Sequence, residues 1–167
     1  MGRKFWQALL TWVVLAALLF GAKIFSAHDL VSGAASEIQG RTLEGRSFAG
    51  LGGLPKPLVI YFWASGCPVC RAMQGAVREI SQEAPLISIA MQSGSAAEVA
   101  QYMKKTGFEV PVVLDESGAI GRSYGLRGVP AVFVLDSAGG IRYATRGYTN
   151  ALGLRLRLWL AGHKSRI

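Results

Sequence analysis

Hydrophobic and polar positions divide this chain into stretches of different period. In residues 5–25 the only strongly polar interruptions are Gln7 and Lys23, and as a helix they would extend roughly 30 Å, enough to span the hydrocarbon core of a bilayer. Arg3 and Lys4 precede the run. Positive charge on that side predicts a retained signal-anchor helix over residues 1–25, with the N-terminus cytoplasmic and the rest of the chain beyond the membrane. A cleaved signal peptide is the alternative. Against it, Phe25-Ser26-Ala27 and Phe20-Gly21-Ala22 place a bulky residue where cleavage wants a small one. Residues 26–39, small and polar around Ser32-Gly33-Ala34-Ala35-Ser36, read as a linker.

From residue 40 to residue 167 the pattern is that of one α/β domain. Residues 42–48 alternate around Gly45 as a small hairpin. Residues 58–64 are an almost unbroken apolar run, as expected of a central strand covered on both faces. Met73, Ala76, Val77 and Ile80 then recur at helical spacing, and Pro85 ends that helix. Residues 86–91 are a second buried strand. Ser95 and Glu98 have the spacing of a capping box for a further helix, closed by Gly107. Residues 110–114 are extended, residues 120–124 a helical turn, and 131–135 with 141–145 a hairpin. The last segment alternates leucines as a strand would, yet Asn150 is a good helix cap and Leu152, Leu156, Trp159 and Leu160 share a helical face. The expectation is a helix that packs Leu152, Leu156 and Trp159 on the sheet. Leu154 and Leu158 would then face outward beside Arg155 and Arg157.

Charge changes this picture little. The net charge is +8, but the basic residues are scattered and none form a run interleaved with exposed aromatics, so nucleic acid is not expected as a partner. No acidic residue follows Asp136, which leaves the C-terminal end positive. At 167 residues the chain suffices for one core and an accessory segment.

The chemistry lies in Cys67-Pro68-Val69-Cys70, whose cysteines are the only two in the chain. The pair follows a strand and opens a helix, so both side chains fall on neighbouring positions of one face, where an S–S bond can form and break. Cys67 meets the free backbone N–H groups of the first turn, which favour the thiolate that attacks disulfides. Pro68 suits the first helical position because its missing N–H is not needed there. Two other uses were weighed. A structural zinc needs about four ligands, and only His28 and His163 could join the cysteines, both remote in sequence. A purely structural disulfide across so short a loop gains little chain entropy. No metal and no cofactor are expected.

The sequence Phe62-Trp63-Ala64, the Cys67/Cys70 pair and Gly128-Val129-Pro130 resemble, in that order, the motifs of the thioredoxin superfamily. The likeness runs from about residue 40 to the end. It implies a thioredoxin-like fold, a central mixed sheet flanked by helices. It also implies that Val129-Pro130 is a cis bond beside the sulfurs. The anchor and the extra central helical insertion at 93–107 resemble the membrane-tethered TlpA-like group, and Cys-Pro-Val-Cys resembles the suppressor-of-copper-sensitivity protein D branch. There are departures: Tyr61 stands where thioredoxin has a buried aspartate, Gly66 where it has tryptophan, and Ala131 where the cytochrome c maturation branch has glutamate.

The resemblance implies a disulfide oxidoreductase with Cys67 and Cys70 catalytic, Val129 and Pro130 binding substrate backbone, and Trp63, Pro68 and Val69 beside the site. Cys67 would attack and Cys70 resolve. Protein thiols and disulfides are then the substrates, and a membrane electron transporter is the expected redox partner. The place implied is a bacterial inner membrane, crossed once, with the domain in the periplasm. A thiol oxidant and a non-catalytic copper-binding module are the alternative readings.

Overall fold

The computed structural model describes residues 33–163, together with Trp12 and Leu30. A seven-stranded sheet runs through the domain in the order β1-β7-β6-β3-β4-β5-β2. The strands are β1 (Gly33–Ala34), β2 (Arg41–Thr42), β3 (Leu58–Trp63), β4 (Leu86–Met91), β5 (Val112–Asp115), β6 (Ala131–Leu135) and β7 (Gly140–Arg146). The helices are α1 (Pro68–Glu83), α2 (Ala96–Thr106), α3 (Ala119–Ser123) and α4 (Ala151–His163). Strands β3, β4 and β5 are parallel neighbours, and every other pairing is antiparallel.

The apolar run predicted as a central strand is β3. All six of its residues are buried, because β4 and β6 flank it and both faces are covered. On one face Cys70, Met73, Val77 and Ile80 of α1, Val99 and Met103 of α2, and Leu154 and Leu158 of α4 pack on Val59, Tyr61 and Trp63. On the other face Ile60 and Phe62 meet Phe133, Ile120, Tyr124, Ile38 and Leu30. The helix ends follow the expected chemistry. Ser95 and Glu98 form the reciprocal capping box of α2, and Gly107 closes that helix with φ +61°, a backbone region that favours glycine. The Asn150 carboxamide oxygen accepts from the Gly153 N–H at 2.8 Å at the start of α4.

Two findings differ from expectation, and one expectation falls outside the described residues. The last segment is a helix, but it is rotated: Leu154 is fully buried and Leu158 nearly so, while Leu152, Leu156 and Trp159 are 72, 56 and 57% exposed. Both stripes are leucine-rich, so pattern alone does not choose between them. The rotation found lets Arg155 reach α1, where its Nε and Nη2 donate to the two Glu83 oxygens at 2.8 and 2.6 Å and Nη2 also reaches Glu79 at 3.2 Å. Second, residues 33–39 of the expected linker pack on the domain: β1 extends the sheet beside β7 and Ile38 is fully buried. The expected membrane-spanning helix is the one that falls outside the described residues. No helix among the described residues is long and apolar enough to cross a membrane.

Candidate active site

Strand β3 ends at Trp63, and four residues later Cys67 caps α1 in an extended conformation, φ −92° and ψ 111°. The intervening loop is fixed at two points. The Cys67 N–H donates to the Ala64 carbonyl at 3.1 Å, and the Ser65 N–H donates to the Ser93 hydroxyl at 3.1 Å, which itself donates to the Met91 carbonyl. With β-branching absent and Pro68 supplying a preset φ at the first helical position, the chain turns directly from strand to helix.

Cys67 and Cys70 are joined as a disulfide with their Cα atoms 5.2 Å apart, within the usual range for such a bridge. The two sulfurs are not equivalent. Cys70 is fully buried, whereas Cys67 is half-buried and its Sγ accepts the Cys70 N–H at 3.1 Å. That N–H belongs to the first turn, where the helix leaves donors without partners, so negative charge on the Cys67 sulfur is favoured there.

Val129 brings its carbonyl oxygen to 3.7 Å from the Cys67 Sγ, and the Val129-Pro130 bond is cis, as the motif predicted. A second cis bond, Lys56-Pro57, was not foreseen. Pro130 is buried, and its carbonyl accepts from the Gly147 N–H at 2.8 Å, which ties the proline loop to the end of β7. Around the outer sulfur the surface is nearly bare of side chains. Gly66, Pro68 and Val69 are exposed, and a Cβ built on Gly66 or Gly128 would meet nothing within 4 Å.

Beneath the pair the floor is aromatic. Trp63, expected as a neighbour of the site, is 1% exposed; it stacks on Tyr102 of α2 at 5.5 Å and meets Phe108 edge-on at 5.4 Å. Gln74 of α1 donates to the Tyr102 hydroxyl at 3.0 Å. The Tyr61 hydroxyl donates to the Cys70 carbonyl at 3.2 Å, and burial, with Tyr102 adding to it, pushes its phenol well above the ordinary range. Sequence reasoning missed Tyr102, Gln74 and Ser93. The helical register of Val99 and Met103 marks the buried face of α2, but nothing in it singles out Tyr102 as a partner of Trp63.

The arrangement is a half-open disulfide between a bare surface and a sealed apolar floor, suited to exchange at Cys67. The Redoxin family profile matches residues 53–152. A thioredoxin-like protein of Haemophilus influenzae is 30% identical over 155 residues, covering 91% of this chain and 89% of that protein. The thiol:disulfide interchange protein DsbE of Pasteurella multocida is 31% identical over 96 residues, covering 57% of this chain and 53% of its own length. The match therefore spans about half of that relative. Among solved structures, the thio-disulfide isomerase of Thermus thermophilus superposes with a TM-score of 0.67 at 24% identity, covering 78% of this chain and 96% of that one. The dsbF structure from MTB, in mixed oxidized and reduced forms, gives 0.67 at 23%, covering 75 and 95%. These structural likenesses establish a thioredoxin-like fold.

Proposed function

Since the chain belongs to the Redoxin family, as a thiol–disulfide oxidoreductase with DsbE proteins among its relatives, we propose that it reduces disulfides of extracytoplasmic proteins from a membrane tether. The observation that carries this reading is the inequality of the two sulfurs: Cys67 is reachable and held at a helix N-terminus, and Cys70 is sealed. In the proposed cycle the Cys67 thiolate attacks a substrate disulfide and forms a mixed disulfide. Cys70 then attacks Cys67, the substrate leaves as a thiol, and the pair is left oxidised. Val129 and Pro130 are proposed to hold the substrate backbone. Pro130 has no N–H to offer, so an extended substrate would pair with the neighbouring main chain as an added strand. Pro68 and Val69, exposed beside Cys67, would form the rim of the contact.

Residues 1–25 are proposed to anchor the chain once in a bacterial inner membrane with the domain in the periplasm. The apolar run at 5–25 and the preceding Arg3 and Lys4 support this. Tethering holds the domain at high effective concentration near any membrane-embedded electron donor, which favours repeated re-reduction over one-way oxidation. The direction and the tether are tested separately. Cys70→Ala is expected to trap mixed disulfides with partner proteins and Cys67→Ala none; the reverse pattern would overturn the assigned roles. Fractionation is expected to find an uncleaved chain in the membrane, protected from protease until the outer compartment is opened. A shortened soluble form would overturn the tether.

A further inference from the structure

One buried titratable group has no part in the exchange as described. Tyr61 lies on β3 directly under the first turn of α1, is fully buried, and directs its hydroxyl to the Cys70 carbonyl at 3.2 Å. That carbonyl oxygen lies four bonds from the Sγ of the same residue. In the oxidised pair the Cys70 Sγ is bonded to Cys67.

Resolution makes a demand on the surroundings of Cys70. Before it can attack, the Cys70 thiol must give up a proton inside an apolar cluster, where burial disfavours the thiolate. That cluster holds two buried donors, the Tyr61 hydroxyl and the Trp63 indole N–H, the latter without a hydrogen-bond partner. Asp115 is the one buried acid among the described residues, and its two oxygens accept from the Ile120 and Gly121 N–H groups at 3.1 and 2.8 Å. Of the titratable groups, Tyr102 from α2 and Cys67 itself border this part of the cluster and Tyr143 from β7 packs on it nearer Val59, with neutral Gln74 on α1.

We propose that Tyr61 is a positioning residue for the resolving step: its hydroxyl turns from the Cys70 carbonyl to the Cys70 sulfur and donates to it while the thiol proton departs. In that step the Cys70–Cys67 S–S bond forms and the bond from Cys67 to the substrate sulfur breaks. The proton lost by Cys70 ends on the leaving substrate sulfur, so the substrate is reduced to a thiol and the pair is oxidised, with no other reagent required. Tyr61 supplies a donor and keeps its own proton. This inference rests on Cys70 being the resolving thiol.

The test uses the full chain carrying Cys67→Ser, so that Cys70 is its sole thiol, with the carbon-13 shift of the Cys70 Cβ followed against pH. Losing one charge-assisted hydrogen bond corresponds to a rise of about one to two pH units, so Tyr61→Phe is expected to raise the thiol midpoint by that much. Tyr124→Phe, which removes a buried hydroxyl on the other face of the sheet, is expected to leave the midpoint in place. In the otherwise native chain, Tyr61→Phe is expected to slow release of glutathione from its mixed disulfide with Cys67 about tenfold at neutral pH. Should Tyr61→Phe not fold, the Tyr61 ring Cζ resonance in the Cys67→Ser chain serves instead, and it is expected to shift with the Cys70 midpoint. Superimposed Cys70 titrations with and without the hydroxyl, an equal shift from Tyr124→Phe, or a Tyr61 resonance that ignores the Cys70 titration would overturn the proposal. Failure of glutathione to add to Cys67 in a Cys70→Ala chain would instead strike the assignment of the two cysteines, a separate result.

Discussion

Reducing the Cys67–Cys70 disulfide is expected to destabilise the domain by about 2 kcal/mol. The bridge closes a loop of four residues, 67–70. In the chain-entropy account a loop that short removes about 6 cal/mol/K from the unfolded ensemble, close to 2 kcal/mol at 25 °C. Two native-state effects act on top of this and oppose each other. Reduction frees a Cys67 thiolate, which the first-turn N–H groups of α1 stabilise by up to about 1 kcal/mol and which therefore favours the reduced form. Reduction also leaves the Cys70 thiol in a dry cluster, where its ionisation is disfavoured. The entropic contribution sets the sign, and the oxidised form is the more stable. For a domain of this size the difference appears as a fall in Tm of roughly 6–10 °C, or a fall in urea midpoint of about 1 M, on adding a reductant. By the thermodynamic cycle that joins folding to reduction, a folded state that prefers the disulfide is a reducing pair, since 30 mV corresponds to about 1.4 kcal/mol. Urea unfolding followed by tryptophan fluorescence, in excess dithiothreitol and in its absence, measures the quantity directly. A reduced form as stable as the oxidised one, or more so, would refute both the arithmetic and the proposal that this protein donates electrons to its substrates.

Two further outcomes test the packing. Leu154→Ala removes a fully buried side chain from the interface of α4 with the sheet and is expected to cost about 3–4 kcal/mol in urea unfolding, while Leu152→Ala, on the outer stripe, should stay within about 0.5 kcal/mol; comparable costs would mean that α4 is rotated otherwise. Stability is also expected to fall as the pH rises above about 10. Burial raises the Tyr61 and Tyr124 phenols, with Tyr102 and Glu37 adding to it respectively, so the unfolded chain loses those protons while the folded chain keeps them. The loss is at most about 1.4 kcal/mol per pH unit for each group, and pH-jump unfolding of the wild type against Tyr61→Phe measures the share of one.

How much of this was legible depended on whether a residue's role is written in its neighbours along the chain. Strand β3 could be read because burial on both faces requires an apolar residue at every position from Leu58 to Trp63. The capping box of α2 could be read because its two reciprocal partners, Ser95 and Glu98, lie three residues apart. The cysteine pair could be read because its chemistry is local to one turn of helix. Strand β1 could not: two residues carry no period, and Gly33 and Ala34 join the sheet only because β7 offers an edge more than a hundred positions away. Ile38 is fully buried but stands alone among polar neighbours, so nothing near it announces a core position. The rotation of α4 depended on Arg155 meeting Glu79 and Glu83, 76 and 72 positions earlier, against two leucine stripes of similar apolar weight.

Helix α2 is tied to both halves of the redox motif. Through Trp63 it stacks on the strand that delivers Cys67, and through Gln74 it is hydrogen-bonded to the helix that carries Cys70. Both contacts converge on one side chain, Tyr102, so a shift of α2 would move the strand end and the first helix together. The floor under the disulfide is braced in this way, while the rim above it has no side chain at Gly66 and Gly128 and an exposed apolar one at Val69. In the proposed cycle such a floor would keep Cys70 aligned for attack on Cys67, since the two lie within one helical turn. A bare rim admits varied backbones and leaves selection to the few groups that touch them. Discrimination among substrates is therefore expected to come from main-chain pairing at Val129 and from where the domain is held, more than from a side-chain pocket.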